Sequence, residues 1–146
     1  MADKKIVPFL PEHLEKINLS EVQKHVSFMI DEIPNGPSAL KEVSLMAVTY
    51  LDGEEIIGCF GVTKDRYAWA AMGEKAKEHI VFIAKTAKAV LDTFDWCYTL
   101  NRMTDKKSNR WVELLGFKCE GIVKTEDDGL EYINYLRMSQ WALKQH

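Results

Sequence analysis

The residues best suited to binding a ligand lie in a short polar segment, Gly73-Glu74-Lys75-Ala76-Lys77, between two apolar stretches. A loop that leads from a strand into a helix leaves several backbone amides without partners. Together with the helix dipole, these amides attract anions, most often phosphate. Gly73 would let the backbone approach the anion, and Lys75 and Lys77 would add positive charge. The alternative is an ordinary solvated loop, which is the commoner case because helix N-termini far outnumber phosphate sites.

The segments around this loop predict a strand–helix–strand unit. Residues 66–72 and 96–100 have the composition of strands, and apolar residues at helical spacing over 80–94 predict an amphipathic helix between them. A helix that crosses between two strands of one sheet requires them to be parallel, so we expect these two segments to form a parallel pair. Tyr67 and Trp69 alternate on the first of these strands and share a face, which either packs in the core or lines a cleft.

The rest of the chain predicts a single domain, residues 1–146, of mixed class, α/β or α+β. The element order is β-α-α-β-β-β-α-β-α-β-β, which implies a mostly antiparallel sheet with flanking helices. The predicted strands are 6–10, 45–51, 55–63, 117–125 and 130–138, with the two named above. The predicted helices start at Pro11, at the capping box Ser20–Gln23, near residue 80 and at Asp105, and Gly116 is placed to end the last one.

The C-terminal helix region carries a family resemblance. Asn101 and the segment NRWVELLGF, which begins at Asn109, resemble the second cofactor motif of the GCN5-related N-acetyltransferase (GNAT) superfamily. More narrowly, this segment, the N-terminal MADKKIVPFLPEHLEKI and residues 78–94 are similar to small acetyltransferase-like proteins of T7-like bacteriophages. Some proteins of that group are internal virion proteins.

The resemblance implies an acyl-coenzyme A N-acyltransferase-like fold. In that fold acetyl-coenzyme A lies between the two parallel strands, with its pyrophosphate at the start of the following helix. The residues that the resemblance assigns to cofactor binding are Ala70, Met72, Gly73, Lys75, Ala76, Lys77, Asn101 and Asn109. Backbone amides of residues 66–72 would then polarise the thioester carbonyl, as an oxyanion hole does.

Two departures from the family pattern concern this chemistry. The first family motif, Gln/Arg-x-x-Gly-x-Gly/Ala, keeps Gly73 here but loses its leading basic or amide residue, and Glu74 adds a negative charge. Many active members carry a Tyr four residues before the Gly of Gly-Phe, where it protonates the departing thiolate. Val112 occupies that position and has no proton to donate. No single Glu or Asp stands out as the general base either, so no catalytic residue is assigned.

Two functions therefore remain open. The first is an N-acyltransferase that uses acetyl-coenzyme A and acts on a small-molecule or protein amine. The second is a catalytically silent domain of the same fold that binds a partner, as a component of a phage particle or on a host protein. Nucleic-acid binding is disfavoured because the net charge is −3, and the basic cluster of Arg102, Lys106, Lys107 and Arg110 is typical of a solvated helix face.

The cysteines and the hydropathy pattern bear on metal binding and location. Cys59, Cys97 and Cys119 stand apart in apolar runs, so we expect buried thiols. No Cys or His pair has metal-ligand spacing, and no metal site is expected. The longest uncharged run is nine residues, 43–51, against roughly 18 for a membrane span. With no apolar segment after the first five residues to act as a signal peptide, the sequence predicts a soluble protein of the cytoplasm, or of the host cytoplasm or virion if its origin is a phage.

Overall fold

The computed structural model describes residues 4–17, 41–124 and 129–139. The chain divides into two compact units, Met1–Ile83 and Ala84–His146. The predicted helix that opens at Ser20 and the tip of the acidic turn, residues 126–128, lie outside the described residues. The single-domain organisation stays a prediction.

The first unit contains an antiparallel sheet in which the strands are hydrogen-bonded in chain order. Helix α1 (Pro11–Lys16) follows the first strand, and a 3₁₀ turn (Ala76–His79) leads into helix α2 (Ile80–Leu91), whose residues after Ile83 belong to the second unit. The strands of this sheet are β1 (Lys4–Pro8), β2 (Ser44–Asp52), β3 (Glu55–Thr63) and β4 (Ala68–Met72). The first predicted strand is therefore displaced by two residues toward the N-terminus.

Close packing between β3 and β4 explains a glycine that the sequence places inside a strand. At Gly61 a Cβ atom would stand 2.7 Å from the indole ring of Trp69, so only glycine leaves room for the ring. Trp69 packs with Phe9 and Cys59 in the core of the first unit, and Tyr67 packs half-buried against this cluster. Of the two alternatives for these aromatic residues, the structure thus supports the core.

Strand β4 begins two residues later than expected, at Ala68 rather than residue 66. Arg66 adopts a φ angle of +73°, in the left-handed region. Its amide donates to the carbonyl of Thr63 at 2.9 Å, which closes the turn between β3 and β4. The turn therefore takes up residues that the apolar pattern assigned to the strand.

The second unit contains an antiparallel sheet of order β5-β7-β6, with helix α3 (Lys106–Leu114) following its first strand. The strands are β5 (Trp96–Arg102), β6 (Lys118–Lys124) and β7 (Glu131–Met138). Asp105 caps α3 by accepting a hydrogen bond from the amide of Ser108 at 3.1 Å. Gly116, just after the C-cap of α3, has a φ angle of +101°, which ends the helix.

The residues around Gly116 form a complete C-terminal helix cap. The amides of Gly116 and Phe117 donate, each at 3.0 Å, to carbonyls three and five residues earlier. These are the two hydrogen bonds of the Schellman motif. Phe117 is buried, as expected for the hydrophobic contact that accompanies the motif. The predicted helix end at Gly116 is confirmed.

The predicted class, mixed α/β with antiparallel sheets and flanking helices, is confirmed, but the parallel strand pair is not. Strands β4 and β5 belong to different sheets, and every strand pairing between described residues is antiparallel. The amphipathic stripe on α2 requires a surface to pack against. It does not require that the strands before and after the helix share hydrogen bonds, and the prediction of a parallel pair assumed that they do.

Two of the three cysteines follow the expectation. Cys59 and Cys97 are buried, whereas Cys119 is exposed. Cys119 lies on β6, an edge strand of the second sheet, next to a register shift that precedes Gly121. An apolar run on such a strand does not imply burial. No α-helix within the described ranges combines the length and apolar character that crossing a membrane requires.

Candidate functional site

The loop after β4 is the first candidate site, and much of its backbone is already hydrogen-bonded. The amide of Gly73 donates to the carbonyl of Ile57 on β3 at 2.8 Å. The amides of Ala76 and Glu78 donate to the carbonyls of Gly73 and Lys75 at 3.2 and 3.0 Å. The segment is thus a tight turn that runs through a 3₁₀ turn into α2. It offers fewer amides to an anion than a loop that opens directly on an α-helix would.

The two lysines of this loop differ in their electrostatic surroundings. Lys75 Nζ lies 3.2 Å from Oε1 and 3.3 Å from Oε2 of Glu55, at the start of β3. The hydrogen bond with Glu55, and then its charge, raise the pKa of Lys75. Lys77 is exposed and forms no ion pair with another described residue. Of the two predicted phosphate ligands, Lys77 is therefore the one whose charge is not already offset.

Ala70 and Met72 lie on β4 and share one face of the first sheet. Both are half-buried, and they stand opposite Phe60 and Gly58 in the register. A Cβ at Gly58 would lie 2.5 Å from the sulfur of Met72, so this glycine makes room for the Met72 side chain. Met72 is thus held against β3 by packing as well as by the strand.

His79 was not singled out by the sequence, although it ends this loop. It is only 8% exposed, and its Nε2 lies 3.4 Å from Oδ2 of Asp52 at the end of β2. Its Nδ1 is buried and has no hydrogen-bond partner among the described residues. The pair joins the loop to the β2–β3 hairpin. The signal in the sequence is a histidine at the last polar position before the apolar stripe, which by itself does not indicate a partner on β2.

The two asparagines assigned from the family resemblance lie in the second unit and differ in function. The side-chain amide of Asn109 donates to the carbonyls of Arg102 and Met103 at 3.3 and 3.4 Å, which ties α3 to the end of β5. Asn109 is therefore at least a structural residue. Asn101 lies on β5, and its Nδ2 is buried without a hydrogen-bond partner among the described residues. An unpaired buried donor of this kind fits a carbonyl-bearing ligand.

A tyrosine that the sequence did not indicate lies under α3. Tyr135 on β7 is 1% exposed, and its hydroxyl donates to Oε1 of Glu113 at 3.4 Å. Burial, and then the charge of Glu113, raise the pKa of Tyr135, so its phenol stays protonated at neutral pH. Val112, at the family's usual acid position, is half-buried. Within the described residues, no group of three His, Cys, Asp or Glu side chains is arranged to hold a metal ion.

Comparison with known proteins gives the fold but little sequence similarity. No protein-family model and no curated protein matches the chain. Among solved structures, a spermidine N-acetyltransferase SpeG chimera from Vibrio cholerae and hSSAT is similar with a TM-score of 0.67 and 13% identity, over 96% of this chain and 98% of that one. An acetyltransferase (GNAT family) from Bacillus anthracis is similar with a TM-score of 0.58 and 12% identity, over 94% of this chain and 96% of that one.

A third similar structure is AAC(6')-Ib in complex with ribostamycin and coenzyme A, with a TM-score of 0.67 and 12% identity over 97% of this chain and 96% of that one. At such identities the likeness concerns the fold. The chain has the acyl-coenzyme A N-acyltransferase-like fold of GNAT acetyltransferases.

Proposed function

We propose that this chain is a GNAT-like N-acetyltransferase that uses acetyl-coenzyme A and acetylates an amine. The observation that carries the proposal is the fold, which the chain shares over nearly its whole length with N-acetyltransferases, including one bound to coenzyme A. When bound, acetyl-coenzyme A supplies a thioester whose acetyl group passes to the amine nitrogen. The amine loses a proton to a base or to water, and the departing sulfur gains one.

The groups proposed to hold the coenzyme are those with spare polar capacity. In the first unit this is Lys77, whose cation has no ion-pair partner among the described residues and suits phosphate. Gly73, whose own amide already donates to the carbonyl of Ile57, would let the backbone approach the ligand. In the second unit, considered by itself, Nδ2 of Asn101 has no hydrogen-bond partner among the described residues and suits an amide carbonyl. Lys75 and Ala76 are weaker candidates, because the charge of the first and the amide of the second already have partners.

Comparing the two lysines tests this assignment. Lys77→Ala should weaken coenzyme binding by about three- to tenfold, and the loss should shrink as salt rises. Lys75→Ala should lower the affinity for coenzyme by less than twofold, because Glu55 already neutralises this side chain. The control is Lys85→Ala, an exposed lysine on α2. A larger loss for Lys75→Ala than for Lys77→Ala in calorimetric titration would contradict the assignment.

The second candidate is a catalytically silent protein of the same fold that acts by binding, as a virion component or on a host protein. Val112 favours it, since the position that supplies a proton in many family members holds a side chain without one. A missing general acid typically costs about 10²–10⁴-fold in rate. If coenzyme binds, Val112→Tyr should raise acetyl transfer to a panel of amines by at least tenfold. Val112→Phe, which adds the ring without the hydroxyl, should not.

The two candidates give different results. Coenzyme binding with measurable transfer supports the enzyme. Binding without transfer in the wild type and a gain in the Tyr variant assigns the defect to the acid. Absence of binding to acetyl-coenzyme A and to desulfo-coenzyme A supports the silent protein.

A further inference from the structure

One face of the second sheet carries an open depression that the proposed coenzyme-binding residues do not use. Its volume is about 480 Å³, and its hydrophobic lining comes from all three strands. Trp96, Tyr98 and Leu100 alternate along β5 and so share this face, with Leu136 on β7 and Val123 on β6. Trp96 is 42% exposed, so a large aromatic surface borders solvent.

The polar lining of this depression consists of one carboxylate and one amide. Glu120 lies at the register shift between Cys119 and Gly121, and it forms no ion pair or hydrogen bond with another described residue. Oδ1 of Asn134 is buried without a partner. Because no described residue bonds this oxygen, the amide can turn to present either its oxygen or its nitrogen to a ligand. The described lining contains no Lys or Arg.

This combination favours an organic cation. An aromatic surface attracts a cation through its electron-rich face, and an unpaired carboxylate binds an ammonium group with a charge-assisted hydrogen bond. The hydrophobic residues around them would bury the carbon skeleton of the same molecule. A neutral ligand of equal shape would gain from the hydrophobic contacts alone.

We propose that this depression binds a primary amine with an aromatic or apolar body, held by Glu120 and Trp96, and that it is the amine-substrate site. The inference rests on the proposed function, since an N-acetyltransferase needs a site for its amine. Amine binding can nevertheless be measured without coenzyme. Failure of this proposal is therefore distinguishable from failure of coenzyme binding.

The test is a titration of the full chain with 2-phenylethylamine and with 2-phenylethanol, followed by calorimetry and tryptophan fluorescence at neutral pH. We expect the amine to bind at least fivefold more tightly than the alcohol. Glu120→Gln should lower the affinity for the amine about five- to tenfold and leave the affinity for the alcohol unchanged. Trp96→Leu should lower the affinity for the amine by about two- to fivefold. Glu131→Gln, which removes one exposed carboxylate elsewhere on the same sheet, is the matched control and should have no effect.

Several results would overturn the proposal. These are equal affinity for amine and alcohol, no binding of either at millimolar concentration, and equal losses in Glu120→Gln and Glu131→Gln. Sedimentation provides a further check, because a second copy of the chain could cover the same face. Self-association that Trp96→Lys abolishes, without any amine binding to the wild type, would assign the depression to a dimer instead.

Discussion

Replacing Gly116 by alanine tests the structural basis of the Leu-Gly-Phe segment that first suggested the family. The φ angle of +101° is unfavourable for any residue with a Cβ, at a cost of about 1–2 kcal/mol. The new Cβ would also lie 3.2 Å from Nε of Arg137. That nitrogen donates to the carbonyl of Leu115 at 2.8 Å, and Nη2 of Arg137 lies 2.9 Å from Oδ1 of Asp92. The guanidinium is thus held from two sides and cannot move aside without weakening a bond.

The second cost follows from Arg137. Its side chain is only 8% exposed, and a hydrogen bond to a buried charged group contributes about 1.5–3 kcal/mol. The Asp92 carboxylate is half exposed, so its part is small. Partial loss of the bond to Leu115 brings the total for Gly116→Ala to about 2–4 kcal/mol. Gly53→Ala is the matched control, because Gly53 has a φ angle of +63° with nothing within 4 Å of the added Cβ, and should cost about 1 kcal/mol.

The measurement is urea denaturation of the two variants, followed by circular dichroism. A third variant, Arg137→Met, separates the two costs of Gly116→Ala. In that background, the cost of Gly116→Ala should fall to the backbone cost alone, about 1–2 kcal/mol, because the clash with the guanidinium is gone. Equal destabilisation by Gly116→Ala and Gly53→Ala in the wild-type background would refute the packing argument.

Two further predictions concern His13 and the thiols. Nδ1 of His13 lies 2.7 Å from Oγ1 of Thr49 and accepts from a backbone amide, and burial lowers its pKa below 6.5. The unfolded chain then binds the proton more readily than the folded chain. The contribution of His13 to the free energy of unfolding should therefore be complete above pH 6.5 and should be lost as the pH falls below that value. His13→Asn, which keeps an acceptor near Nδ1, should reduce that pH dependence, and an unchanged slope would contradict this account. With a thiol reagent in native buffer, Cys119 should react at once, whereas the two buried thiols should react only after denaturation. These are Cys97 and Cys59, and burial raises the pKa of Cys59 to about 11. Rapid reaction of all three would be inconsistent with the burial described.

Much of the fold could be predicted because its signals are local. Asp52-Gly53 predicts a hairpin and Gly116 a helix end, since each requires a backbone conformation that few residues adopt easily. The failed predictions depend on partners far away in the sequence. Whether residues 68–72 pair with residues 96–102 depends on which strands lie next to each of them in the sheet. Likewise, Cys119 is exposed because β6 ends up at a sheet edge, which no local pattern reports.

The candidate site shows the same division. The sequence could indicate that the loop at Gly73 is polar and precedes a helix. It could not indicate that Glu55 pairs with Lys75, because that contact depends on the register of the β2–β3 hairpin. The contact between His79 and Asp52 depends on the same hairpin. Family resemblance assigned Lys75 and Lys77 equally, and only the three-dimensional arrangement distinguishes them.

Acetyl-coenzyme A is proposed to bind this fold through the loop that begins at Gly73. Calorimetric titration of the full chain with acetyl-coenzyme A and with desulfo-coenzyme A tests it most directly, with Gly73→Val beside the wild type and circular dichroism to verify that the variant is folded. The account predicts that the wild type binds both ligands and that a folded Gly73→Val variant binds neither, because the branched side chain would occupy the phosphate position. Equal affinity in the two proteins would place the coenzyme elsewhere, and no binding to the wild type would contradict the claim.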